Sequence, residues 1–262
     1  MIEPYYRRDG ITLYCGDSRV LLPKLDLASA AIISDPVWPN SSSLLVGADR
    51  PWELFAEIAP QLARARRVAL HFGCRSDPRI LAAMPREMPY IRTCWIEYAM
   101  PGYSGRVLNG SEVIYTFGVP IKSAPGRRVI PGGPGRRMQG SSNDEGLTKR
   151  SKRGERVAWT DRDGVRRRHK SAGHAQHPTV RPLAFVQWIV EWFSDPDEVV
   201  VDPFCGSGTT LLAARNMDRR AIGIEISEQH CATAVRRLKQ GRFVFEADRA
   251  PKRVRKTRKT GS

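Results

Sequence analysis

Glu198-Val199-Val200-Val201-Asp202-Pro203-Phe204-Cys205-Gly206-Ser207-Gly208-Thr209-Thr210 reads as a short buried strand, a glycine turn and the opening of a helix. Gly206 and Gly208 leave room for close backbone approach, and the following helix aims its N–H groups and positive dipole end into the turn. Two phosphate-binding readings fail. A Walker loop needs Gly-Lys-Ser/Thr, but Thr209 follows Gly208. A dinucleotide fingerprint needs a third small residue three positions after Gly208, where Leu211 stands. Gly223-Ile224-Glu225 lies one β-α-β step further on, and a carboxylate at that strand end can accept both hydroxyls of a ribose. A solvated strand-end acid is the plainer alternative for Glu225. Turn and acid together predict a pocket for a nucleoside-containing cofactor.

Outward from this core, strand and helix patterns alternate. Leu183, Phe185, Val186, Ile189, Val190, Trp192 and Phe193 form a helical apolar face, and Ser227 is placed to cap a helix running to about Gln240. Upstream, Ile11–Cys15, Ala30–Ser34 and Val68–Phe72 read as strands, Trp52–Ala65 as a helix, and 91–98 and Val113–Phe117 as two more strands. Such alternation predicts a mostly parallel sheet covered on both faces. Between Pro120 and Gly173 the pattern dissolves into glycine, proline and serine breaks, with a short hairpin expected around Asp163-Gly164.

The chain has 262 residues, enough for one α/β core plus an insertion, and its hydrophobic share of 41% is that of a folded domain. No apolar run approaches the roughly 18 residues of a membrane span, and the N-terminus lacks the apolar stretch of a secretory signal. A cytoplasmic protein of prokaryotic or phage type, with no membrane partner, is the expectation. Cys15, Cys74, Cys94, Cys205 and Cys231 are scattered, which argues against a disulfide framework or a zinc ribbon. His169, His174 and His177 lack a carboxylate or cysteine at ligand spacing, so no metal is expected. The net charge of +16 favours a polyanionic partner. Arginines and lysines crowd the segment from Arg127 to Lys170 and the tail from Lys252 to Lys259.

With Asp35-Pro36-Val37-Trp38 at the end of the second upstream strand, the chain resembles the amino-methylating DNA methyltransferases of the permuted beta class, which use S-adenosylmethionine. The resemblance runs from about Ile11 to Gln240, apart from the basic insertion. It implies a Rossmann-like class I methyltransferase fold with a mostly parallel seven-stranded sheet. The implied organisation is a catalytic half over 1–120, a target-recognition insertion over 121–173, a cofactor-binding half over 174–248 and a basic tail over 249–262. The family's cofactor loop maps onto Asp202, Phe204, Cys205, Gly206, Ser207, Gly208 and Thr209, its ribose acid onto Glu225, and its adenine-proximal element onto Gly16-Asp17. His177-Pro178-Thr179-Val180-Arg181-Pro182 resembles an element that helps hold the methionine end, which brings in His177 and Thr179. Glu112 resembles an acid before a late strand, with a structural role expected for it. The catalytic element departs from the family's usual Pro-Pro, since Val37 takes the second proline's place.

An aromatic amine is a poor nucleophile because its lone pair is delocalised into the ring. Two acceptors on its two N–H bonds, the Asp35 carboxylate and the Pro36 carbonyl, favour the pyramidal nitrogen that attacks a methyl group. The target amine is stacked inside a duplex, so the base must be flipped out, with Trp38 as its expected stacking platform. Carbon-5 cytosine methylation needs a cysteine nucleophile, usually after proline, and no Pro-Cys pair exists. The resemblance therefore implies methylation of an exocyclic amine in double-stranded DNA: adenine N-6, with cytosine N-4, an RNA substrate and a non-catalytic DNA-binding relative as alternatives. A homodimer and a restriction endonuclease are the further partners it brings into view.

Overall fold

A computed structural model describes residues 2–39, 45–73, 76–104, 107–121 and 183–240, with side chains undescribed over 95–111 and at 184. His177, Thr179, nearly all of the basic insertion with its expected hairpin, and the basic tail lie outside the described residues.

Eight strands form one sheet: β1 (Tyr6–Arg8), β2 (Ile11–Cys15), β3 (Ala30–Ser34), β4 (Arg67–Gly73), β5 (Tyr90–Ser104), β6 (Val107–Gly118), β7 (Val199–Asp202) and β8 (Arg220–Glu225). Their order is β1-β2-β8-β7-β3-β4-β6-β5. The five central strands, β2 through β4, are parallel, while β1 and the β5–β6 pair run antiparallel at the two edges. Seven strands were expected. The eighth is the short β1, which turns back onto β2 through Asp9 and Gly10, both at positive φ.

The β5–β6 hairpin is longer than its periodicity suggests. The strand expected over 91–98 runs on, as the pairing takes up an irregularity between Glu97 and Gly102 and continues to Ser104.

Strand sequences are apolar nearly throughout because both sheet faces are buried. Along β3, Ile32 points to one face and Ile33 to the other. After the short helix α1 (Ser18–Leu21), helix α2 (Pro51–Leu62) covers the first face through Phe55, Ile58 and Leu62. The second packs against α3 (Leu183–Phe193), α4 (Thr209–Asn216) and α5 (Glu228–Lys239), through Val186 and Val190, Leu211 and Ala213, and Cys231 and Ala234. Ser227 caps α5, its hydroxyl accepting from the His230 N–H. No helix among the described residues is long and apolar enough to cross a membrane.

Candidate active site

The parallel strands end together, and open α/β sheets hold ligands outside those carboxyl ends. There the loops after β2, β3, β7 and β8 line a cleft of about 890 Å³. Its walls include Asp17, Asp35, Pro36, Trp38, Asp202, Phe204, Cys205, Gly206, Ser207, Thr209 and Glu225, so eleven of the twelve sequence-derived site residues within the described part line it. The twelfth, Gly208, stands behind the turn.

Gly206 and Gly208 have φ of +50° and +79°, values that suit glycine. A Cβ on Gly208 would also come within 2.8 Å of the Ala234 Cβ, so α5 packs directly against the turn. The Gly206 N–H donates to Glu225 Oε2 (2.9 Å) and the Ser227 N–H to Oε1 (2.8 Å). Oε1 also lies 3.4 Å from His230 Nδ1, whereas Oε2 keeps a further lone pair for a ligand. From α5, Arg237 Nη1 donates to the Ser207 carbonyl (2.6 Å), the Ser207 hydroxyl (2.8 Å) and the Thr209 hydroxyl (3.0 Å).

Asp202 joins this turn to the upstream element. Its Oδ1 accepts from the Ser34 hydroxyl (2.8 Å) and from the Phe204 N–H (3.1 Å), and Thr210 gives its carboxylate a further side-chain hydrogen bond. Ser34 directly precedes Asp35, so one hydrogen bond across neighbouring strands β3 and β7 ties the two segments to the same end of the sheet. Burial pushes Asp202 up to about 6, against the downward pull of those hydrogen bonds. Burial likewise raises the Cys205 thiol well above its ordinary value, and a thiol so held is a small apolar filler rather than a nucleophile.

Asp17 and Trp38 line the cleft and are also engaged within the protein. Asp17 caps the short helix after β2 and grips Arg19, whose Nη2 lies 2.6 Å from Oδ2; hydrogen bonds from Arg19 hold its carboxyl below the usual range. The neighbouring Gly16 N–H donates to the Glu225 carbonyl (2.8 Å), which pins this turn to β8. Trp38, the expected stacking platform, is 8% exposed, with its ring edge-on to Phe72 at 4.2 Å. It forms a packed wall of the cleft, because Phe72 in β4 offers an apolar surface directly beneath it.

His71 was missed. In Val68-Ala69-Leu70-His71-Phe72 it reads as a strand residue, but it lines the cleft between Asp35 and Glu112. Antiparallel β6 begins to pair with β4 at the end of β4: Glu112 pairs with Gly73 and Ile114 with His71, which puts Glu112 and His71 on one face as diagonal neighbours. Among the described residues no cluster of metal-ligating side chains occurs.

A family model described as DNA methylase matches residues 91–236. The DNA adenine methyltransferase YhdJ of Escherichia coli (strain K12) is 35% identical over 95 residues, 36% of this chain and 32% of that protein. The chain spans under a third of the length of the curated relatives it matches. Among solved structures, the M1.HpyAVI–SAM complex aligns with a TM-score of 0.56 at 20% identity, covering 87% of this chain and 99% of that one. The PvuII DNA methyltransferase (cytosine-N4-specific) aligns at 0.57 and 16% identity, covering 94% and 92%. At such identities the two structures speak for the fold, which is theirs.

Proposed function

Because the chain belongs to the N6/N4 DNA methylase family, we propose that it transfers a methyl group from S-adenosylmethionine to the exocyclic N-6 amine of adenine in duplex DNA. The observation that carries this is the Ser34–Asp202 hydrogen bond, by which Asp35-Pro36 and the glycine turn open onto one cleft.

The residues present suit the cofactor. Gly206 and Gly208 bring no side chain to the turn, Glu225 Oε2 keeps a lone pair for a ribose hydroxyl, and the cleft is within the range of about 300–1,000 Å³ usual for small-ligand sites. M1.HpyAVI, whose fold this chain shares, was solved as a SAM complex. Asp202 to Thr209, Asp17 and Glu225, together with His177 and Thr179, are the residues we assign to holding it. When bound, S-adenosylmethionine supplies an electrophilic methyl group.

Asp35 and Pro36 act on the amine. The carboxylate and the carbonyl each accept one N–H, which concentrates the lone pair on nitrogen, and holding that nitrogen in line contributes through positioning. The nitrogen forms its bond to the methyl carbon, the carbon–sulfur bond breaks, and the amine sheds one proton, for which the Asp35 carboxylate is the acceptor. Trp38 closes the wall beside the flipped base.

Adenine is assigned on the aspartate that heads Asp-Pro-Val-Trp and on the likeness to an enzyme named for adenine. Incubation with unmethylated duplex DNA and labelled cofactor, digestion to nucleosides and mass analysis should return N6-methyladenine. N4-methylcytosine would overturn the choice of base, and unlabelled DNA the whole reading. Asp35→Ala should lose transfer by at least about a hundredfold while binding S-adenosylmethionine as before.

A further inference from the structure

His71 and Glu112, both buried at the cleft beside Asp35, take no part in the methyl-transfer scheme above. His71 is 3% exposed, its ring edge-on to Phe185 at 5.0 Å and to Trp38 at 5.9 Å. Both ring nitrogens face carboxylates: Nε2 lies 2.5 Å from Glu112 Oε2 and Nδ1 3.6 Å from Asp35 Oδ2. Glu112 is 5% exposed, whereas the Asp35 side chain, at 28%, reaches the open cleft. The row therefore runs from a closed end at Glu112 to an open end at Asp35.

An imidazole donates from both nitrogens only when it carries two protons. With one proton it can donate to one carboxylate alone, and the other would meet a lone pair in a buried, weakly screened site. Burial disfavours the charged ring, but Asp35 and Glu112 outweigh that and raise His71 above its ordinary value. Among the described residues, the titratable groups that face the ring are Asp35 after β3 and Glu112 on β6, and the charge of Asp35 is itself felt by Asp202 of β7. Phe185 of α3 and Trp38 supply its apolar walls.

We propose that His71 is a positioning residue for methyl transfer: an imidazolium anchored on Glu112 that holds the Asp35 carboxylate in the orientation in which it receives the target amine. The inference rests on the assignment of Asp35 above. It also gives Glu112 its part, as the fixed end of the row. Loss of the second ring proton releases Asp35, so the clamp is intact below the raised titration point and fails as pH rises through it.

The test uses the full chain, S-adenosylmethionine and unmethylated genomic DNA fragments. His71→Phe should bind S-adenosylmethionine within about twofold of the unmodified chain yet lose about a hundredfold in single-turnover transfer. His71→Gln, which can make one of the two contacts but never both, should lose a similar amount and show no alkaline fall in rate. Glu112→Gln removes one of the two charges that favour the imidazolium, so its alkaline fall should move to lower pH by about one unit. A role in packing alone would not move that limb. Transfer at the unmodified rate in His71→Phe, or an unmoved limb in Glu112→Gln, overturns the proposal. Imidazole nitrogen-15 shifts, assigned by the signal missing in His71→Gln, give a readout free of activity. They should show both His71 nitrogens protonated at neutral pH, with the titration lowered in Asp35→Asn and in Glu112→Gln. If the unmodified chain methylates no DNA, the assigned function fails. The shifts then decide the clamp alone, and a singly protonated ring or an unmoved titration refutes it.

Discussion

Asp202 is a carboxylate 2% exposed at the head of the glycine turn, and its charge is costly to hold there. Burial lifts it from 3.8 to about 6, although Thr210, Ser34 and the Phe204 N–H all pull it down. The folded chain therefore binds this proton more tightly than the unfolded one. That contribution is fully present below about pH 4 and is lost as pH rises through 6, a difference of roughly 3 kcal/mol across the window. Asp202→Asn keeps an amide oxygen for Ser34 and Phe204 while removing the charge. It should raise the melting temperature at pH 8, with the gain shrinking toward pH 4. Melting curves at both pH values check this, and an equal change at both would show that the charge is not the burden. That the wild-type carboxylate is kept under such strain fits a residue whose acceptors serve the turn and its ligand.

At the scale of elements, the glycine turn is held from outside by α5 as much as from inside by the sheet. Arg237 is the link, with three contacts from one nitrogen to Ser207 and Thr209, and burial lowers its affinity for the proton it carries. Arg237→Leu keeps the apolar stem and removes the donor. The expected result is a tenfold weaker S-adenosylmethionine affinity by calorimetry, about 1.4 kcal/mol, with the rate at saturating cofactor nearly unchanged. An unaltered affinity would mean that the turn is rigid without the clasp. This arginine could not be read from its helix, where Arg236-Arg237 looks like basic residues complementing a C-terminal dipole. The strands and the turn were legible because their signals are local: apolar runs ended by glycine or aspartate, and Ser227 one step before a helix. The row through His71 was not, since Glu112 is 41 residues away along the chain and meets it only because β6 runs antiparallel. The same edge of the sheet hid its own length, as the strand expected to end at Tyr98 continues past an irregularity between Glu97 and Gly102. Trp38 was legible as a platform beside Asp35-Pro36, but its edge-on contact with Phe72 joins two segments far apart in sequence and has no local signal.

At the scale of the whole chain, most of the net charge lies apart from the cleft residues along the sequence. The described cleft is lined mainly by acids, glycines and apolar rings, with Arg19 and Arg50, whereas much of the net +16 is carried by Arg127 to Lys170 and Lys252 to Lys259. If those cations meet phosphates, they release counterions, and DNA affinity must then fall steeply with salt. For about six such contacts the loss is roughly a thousandfold between 50 and 200 mM. S-adenosylmethionine binding should change far less, because it displaces no counterion atmosphere. Anisotropy titrations of a duplex and calorimetry of the cofactor, run over the same salt series, separate the two. A flat DNA response would remove the basic segments from the interface and leave the cleft to hold the duplex by itself. A steep one, with cofactor affinity unmoved, would mean that this chain finds DNA with one part of its sequence and acts on it with another.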